Sequence, residues 1–151
     1  TPGAPSAPAA DHLRLLIRDV QPDGLANLDP AAGQAAVEPH LEGVELVVLD
    51  NLSCLLSANE NEAEAWQPAQ DWLLALRRRG IAVLLVHHAG KGGDQRGNPK
   101  REDLLDVSLR LARPAGYQPH EGARFEVHFQ KARGLFGHDL SPLEASLTTG
   151  P

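Results

Sequence analysis

Two stretches decide the fold: V-E-L-V-V-L-D, residues 44–50, and I-A-V-L-L-V-H-H, residues 81–88. Each is a nearly unbroken apolar run of strand length, rich in β-branched residues, that ends on polar side chains. Strands apolar on both faces belong to parallel sheets covered by helices on each side. Between the runs, Ala65, Ala69, Trp72, Leu73 and Leu76 recur at helical spacing. Arg77, Arg78 and Arg79 crowd the last turn and Gly80 supplies the stop. Pro68 requires this helix either to start near Gln67 or to kink there. Strand, helix, strand is a βαβ unit, whose crossover is right-handed in nearly all cases.

Upstream, Leu13, Leu15, Leu16 and Ile17 predict a short strand, ended by Asp19 and a turn at Gln21-Pro22-Asp23-Gly24. A helix is expected from Pro30 to Leu41, closed by Gly43 and weakened by Gly33 and Pro39. Downstream, the pattern changes to alternation: Val107, Leu109 and Leu111; then Phe125, Val127 and Phe129; then Leu143, Ala145 and Leu147. These predict half-exposed strands, the last two pairing as an antiparallel hairpin across Lys131 to Leu140. Residues 1–11 open with T-P-G-A-P-S-A-P-A-A, three prolines and no large apolar side chain, and are expected to be a disordered lead-in or linker. The fold class is therefore α/β, a mostly parallel sheet with an antiparallel edge, over residues 12–151.

The composition narrows the function classes. The 151 residues are 42% hydrophobic and 23% charged, ordinary for a globular chain and incompatible with wholesale disorder. No apolar run reaches the roughly 20 residues of a membrane span, and no signal peptide opens the sequence. A single cysteine, Cys54, excludes an internal disulfide framework and any four-cysteine zinc site, which fits the cytoplasm. The net charge of −6 argues against coating nucleic acid with the whole surface, while leaving room for a local basic loop.

In open parallel sheets, ligands bind beyond the carboxyl ends of the strands. Asp50 sits at such an end, the arrangement of a Walker B aspartate that holds a nucleotide's Mg²⁺ directly or through water. The plainer alternative is that Asp50 and Asn51 only cap the chain after the strand. His87 and His88 end the neighbouring strand. Adjacent strand residues point to opposite faces, so the two histidines do not readily chelate one metal. A hydrogen bond from histidine to a phosphate or water near Asp50 fits better. Lys91, Arg96, Lys100 and Arg101 lie in K-G-G-D-Q-R-G-N-P-K-R, residues 91–101, a basic, glycine-rich stretch suited to phosphate-backbone contact or to plain solvation. Lys131 and Arg133 follow directly on a strand, with Gly134 and Gly137 freeing the backbone, and could offer a guanidinium to a partner's phosphate. The sequence contains no G-x-x-x-x-G-K-[ST] match.

In this order the pieces resemble the RecA-like ATPase core of hexameric replicative helicases, an AAA-family ATPase of the RepA type found on plasmids and phages. The likeness is carried by E-L-V-V-L-D-N-L-S (45–53), the helix within 60–80, V-L-L-V-H-H-A-G-K-G-G-D-Q-R-G-N-P-K-R-E-D-L-L-D (83–106) and R-F-E-V-H-F-Q-K-A-R-G (124–134). The resemblance implies ATP and Mg²⁺ as cofactors and a homo-hexamer acting on single-stranded DNA. It implies that Asp50 is the Walker B aspartate, with Asn51 and His87 beside the nucleotide. It makes His88 the γ-phosphate sensor, the 91–101 segment a channel loop, and Lys131 with Arg133 a finger acting in trans. The family's phosphate loop and catalytic glutamate have no counterpart in this sequence. The chain is thus expected to be a C-terminal portion of the ATPase domain and inactive alone. A degenerate, non-hydrolysing RecA-like module is the alternative, and a small hydrolase or nuclease using Asp50 with a histidine is a distant third.

Overall fold

A computed structural model describes residues 12–21, 24–56, 63–88 and 104–147. The chain divides into two units, residues 1–98 and 99–151.

In the first unit, β1 (Leu46–Leu49) pairs with β2 (Ala82–Leu85) in parallel, Leu46 against Ala82 through Leu49 against Leu85. The connection runs through α2 (Leu52–Leu55) and α3 (Ala63–Arg78), as the βαβ reading requires. Along α3, Trp66, Ala69, Trp72, Leu73 and Leu76 are buried, a stripe at helical spacing. With Leu28, Leu49 and Leu52 they form the core of the unit, each large side chain contributing about 1.5–3 kcal/mol. The helix ends where its chemistry dictates. Gly80 takes φ +81°, and the Ile81 amide donates to the Leu76 carbonyl at 3.1 Å, the wrapped closure that satisfies an orphan carbonyl. One residue later the Ala82 amide donates to Glu45 at 2.8 Å, so the helix stop fixes where β2 begins.

Three details differ from expectation. Residues 13–17 carry no strand. Their side chains Leu13, Leu15 and Ile17 are exposed, and the segment is held through arginines instead. Arg14 Nη1 donates to the carbonyls of His40 (2.9 Å) and Glu42 (2.7 Å), and Arg18 Nη1 to that of Cys54 (2.6 Å). The expected turn that follows does close, Gly24 donating to the Gln21 carbonyl at 3.0 Å. The helix α1 (Ala31–Val37) is shorter than expected, because Pro39 converts its end to a 3₁₀ turn over Glu38–His40. Of the two arrangements expected around Pro68, the start near Gln67 is excluded, since helix α3 runs through the proline. Finally, only one face of the parallel pair is covered: Leu46, Val48 and Leu84 remain 54%, 52% and 51% exposed.

The second unit is a three-stranded antiparallel sheet in the order β3 (Val107–Ala112), β4 (Arg124–Ala132), β5 (Leu143–Ser146). The β4–β5 hairpin is the one expected, and β3 pairs on the other side of β4. The strands are thus shared between two sheets. Val107, Leu109 and Leu111 line one face with Phe129, Val127 and Leu143; Ser108, Arg110, His128 and Glu126 line the other. Arg124 Nε and Nη1 reach Glu144 (2.6 Å) and Glu121 (2.8 Å), tying β5 and the β3–β4 connection to the central strand.

Candidate functional site at the ends of the parallel strands

Because Leu49 pairs with Leu85, the residues after β1 and β2 leave the sheet side by side. The ladder runs slightly beyond the strands: the Val86 amide donates to Leu49 (3.0 Å), and the Leu52 amide donates to Val86 (2.9 Å). That second bond skips Asn51, so the backbone bows out at Asp50-Asn51, whose connecting peptide is cis. The bow leaves Asp50 exposed just past the carboxyl end of β1, with half-buried His87 and exposed His88 just past the end of β2. Asp50, Asn51, His87 and His88 are therefore neighbours, as the sequence predicts.

Asn51 is already employed. Its Oδ1 accepts from the Cys54 amide at 3.1 Å and caps α2. The capping alternative thus holds for Asn51, while the Asp50 carboxylate makes no such bond among the described residues. Among those residues no three His, Cys, Asp or Glu side chains gather as a metal cage. A lone carboxylate at a strand end does suit Mg²⁺, which keeps most of its waters and takes one or two carboxylates together with phosphate oxygens. The core beneath is filled: the void lined by Leu28, Leu49, Leu52 and Trp66 measures about 10 Å³, too small to hold a ligand.

Lys131 and Arg133 belong to the second unit. Arg133 continues the β3–β4 ladder, its amide donating to the Asp106 carbonyl at 2.8 Å, and its Nη1 stands 3.7 Å from Asp106 Oδ1. Asp106 was not singled out by the sequence, although it lies directly before β3. Lys91, Arg96, Lys100 and Arg101 fall outside the described residues.

In parallel α/β units ligands bind beyond the carboxyl ends of the strands, where Asp50 and the two histidines lie. The family follows from comparison with known proteins. A family model described as an AAA domain matches residues 6–94, more than half of the chain, and the chain belongs to that AAA-domain ATPase family. The match includes Asp50, Asn51, His87, His88 and Lys91 but ends before Lys131 and Arg133. No curated protein matches the chain. Among the described residues no helix is long and apolar enough to cross a membrane.

Proposed function

We propose that this chain is the metal-holding and sensing portion of an ATP-dependent, ring-forming DNA helicase of the RepA type, a homo-hexamer that moves on single-stranded DNA. The observation that carries the reading is the juxtaposition of Asp50 and His88 at adjacent parallel strand ends within the AAA-domain match. Bound Mg²⁺ would supply charge neutralisation for the phosphates. Asp50 would hold the ion, directly or through water, and His88 would donate a hydrogen bond to a phosphate oxygen from the next strand. Arg133, from a neighbouring subunit, would stabilise the transferring phosphoryl group, exchanging Asp106 for phosphate oxygens. Lys131 would add charge beside it, and residues 91–101 would contact the DNA backbone.

No phosphate-loop motif occurs in this sequence, so the reading needs that element from elsewhere in the assembled ATPase. The same fact favours a second reading, a degenerate module that joins a ring without hydrolysis. The test uses the assembled enzyme. Asp50→Asn is nearly isosteric and removes only the charge the metal needs, so Mg²⁺-dependent hydrolysis should be lost while the fold is kept. Arg133→Ala should slow hydrolysis by about 10³-fold or more. Mixing the two variants should restore partial activity through intact composite sites. Near-normal hydrolysis by Asp50→Asn would overturn the reading.

A further inference from the structure

Asp50 is followed at once by Asn51 and the four-residue helix α2. So short a helix does not hold its own position, because its unpaired end groups outnumber its internal hydrogen bonds. Its surroundings hold it at both ends. At the start, the Leu52 amide donates to the Val86 carbonyl at 2.9 Å, beside His87. At the finish, the Leu55 carbonyl accepts from the Leu28 amide at 2.7 Å, and the Cys54 carbonyl accepts from Arg18 Nη1 at 2.6 Å. Arg18 reaches across from 36 residues upstream and brings a charge to this set of bonds.

The same guanidinium also donates through Nη2 to Asn27 Oδ1 at 3.3 Å. One planar fork thus clips the end of α2 to the segment whose Leu28 amide holds Leu55. A cation at a helix carboxyl end also opposes the partial negative charge of the carbonyls there. Cys54 passes the constraint back along the chain. Its amide donates to the Asn51 carbonyl and to Asn51 Oδ1, each at 3.1 Å. Arg18, Cys54 and Asn51 are therefore successive links that stop one residue short of Asp50. Arg14, on the same segment, grips elsewhere, donating to the His40 and Glu42 carbonyls ahead of β1. With Leu13, Leu15 and Ile17 exposed, the segment gains little from apolar burial, and the two arginines locate it. Of the two, only Arg18 leads to the strand-end site.

We propose that Arg18 is a positioning residue for the strand-end site: by holding the carboxyl end of α2 it sets where Asp50 presents its carboxylate to the divalent ion. The inference rests on the reading of Asp50 as that ion's ligand. Mg²⁺ demands near-ideal octahedral geometry, so a small displacement of a ligating carboxylate lowers affinity. Removing groups that orient a metal's ligands costs about 10–100-fold in affinity. Arg18 acts through two intervening residues, and the Leu28–Leu55 bond survives its loss, so the lower end, about tenfold, is expected.

The test compares Arg18→Gln, Arg18→Lys and Arg14→Gln in the assembled ATPase with this chain labelled. Two titrations are run at fixed ATP: Mg²⁺ against hydrolysis, and Mn²⁺ against paramagnetic broadening of the Asp50 and Asn51 amides. In Arg18→Gln the half-saturating concentration of either ion should rise about tenfold, with turnover largely recovered at saturating Mg²⁺. Arg18→Lys should restore part of the loss, since an ammonium can meet the Cys54 carbonyl but lacks the fork that also reaches Asn27. Arg14→Gln should leave both half-saturation points unchanged. A merely structural role predicts a different result: a lower thermal midpoint and a smaller active fraction in both glutamine variants, with the ion requirement unmoved. That result would overturn the positioning role. If Asp50→Asn abolishes the broadening while Arg18→Gln does not shift it, the positioning role falls and the Asp50 reading stands. Broadening indifferent to Asp50→Asn would remove both.

Discussion

Gly33→Ala separates local propensity from packing. Residue 33 lies inside α1, where alanine is favoured over glycine by about 1 kcal/mol. On propensity alone the variant should be more stable. The structure reverses the sign. A Cβ built on Gly33 falls 1.7 Å from the Asn27 carbonyl oxygen and 2.7 Å from its carbon, both backbone atoms. Ordinary C···O contacts are about 3.3 Å, so the 26–28 backbone must retreat by roughly 1.5 Å. That retreat pulls on the Leu28 amide bond to Leu55 (2.7 Å) and on the bond from Gln34 Nε2 to the Leu28 carbonyl (2.9 Å). It also lifts Leu28 out of the core, where it is 2% exposed. Overpacking costs about 1–3 kcal/mol and each weakened hydrogen bond about 1 kcal/mol. Set against the propensity gain, the net loss is about 2 kcal/mol. For a unit of this size the thermal midpoint should fall by about 10 °C. Paired urea and thermal unfolding of both proteins, followed by far-UV circular dichroism, measures it. An unchanged or raised midpoint would show that Asn27 does not press on α1 and would refute the packing described for this segment.

Other consequences are equally specific. The Arg124 side chain donates to Glu144 and holds its carboxyl below the ordinary carboxylate range. The β4–β5 pairing should therefore be fully supported above that range and loosen as pH falls through the depressed value; hydrogen exchange at residues 143–146 should show this, and Glu144→Gln should abolish the pH dependence. The uncovered apolar face of Leu46, Val48 and Leu84 should drive concentration-dependent association, which Leu46→Lys with Leu84→Lys should suppress in sedimentation velocity without lowering the thermal midpoint. Unaltered association in that variant would remove the face from the account.

The parts legible in the sequence are those where one period dominates. Residues 44–50 and 81–88 are apolar on both faces and the intervening stripe repeats every three to four residues, so β1, α3 and β2 were predictable, as was the adjacency of Asp50 and His88. Leu13–Ile17 carries the same apolar signal but no ladder forms. Arg14 and Arg18 are spent on the carbonyls of His40, Glu42 and Cys54, a tertiary competition that no local pattern reveals. Gly33 looked like a helix weakener because the approach of Asn27 is non-local. In β4 the register slips by one residue, Ser108 facing Lys131 while Leu109 faces Phe129, and this did leave a trace: alternation fails between Phe129 and Lys131, where a cation follows three apolar residues in phase. Asp106 had no such trace, since its role depends on pairing with Arg133.

The central claim, that Asp50 holds a nucleotide's divalent ion beside His88, is tested most directly by replacing Mg²⁺ with Mn²⁺, which shares its preference for carboxylate and phosphate oxygens. Substoichiometric Mn²⁺ with ATP is added to the assembled ATPase with this chain labelled, and paramagnetic broadening is mapped amide by amide. The account predicts broadening concentrated at Asp50, Asn51, His87 and His88, and its loss in Asp50→Asn. Broadening spread over the acidic surface and unchanged in Asp50→Asn would contradict it.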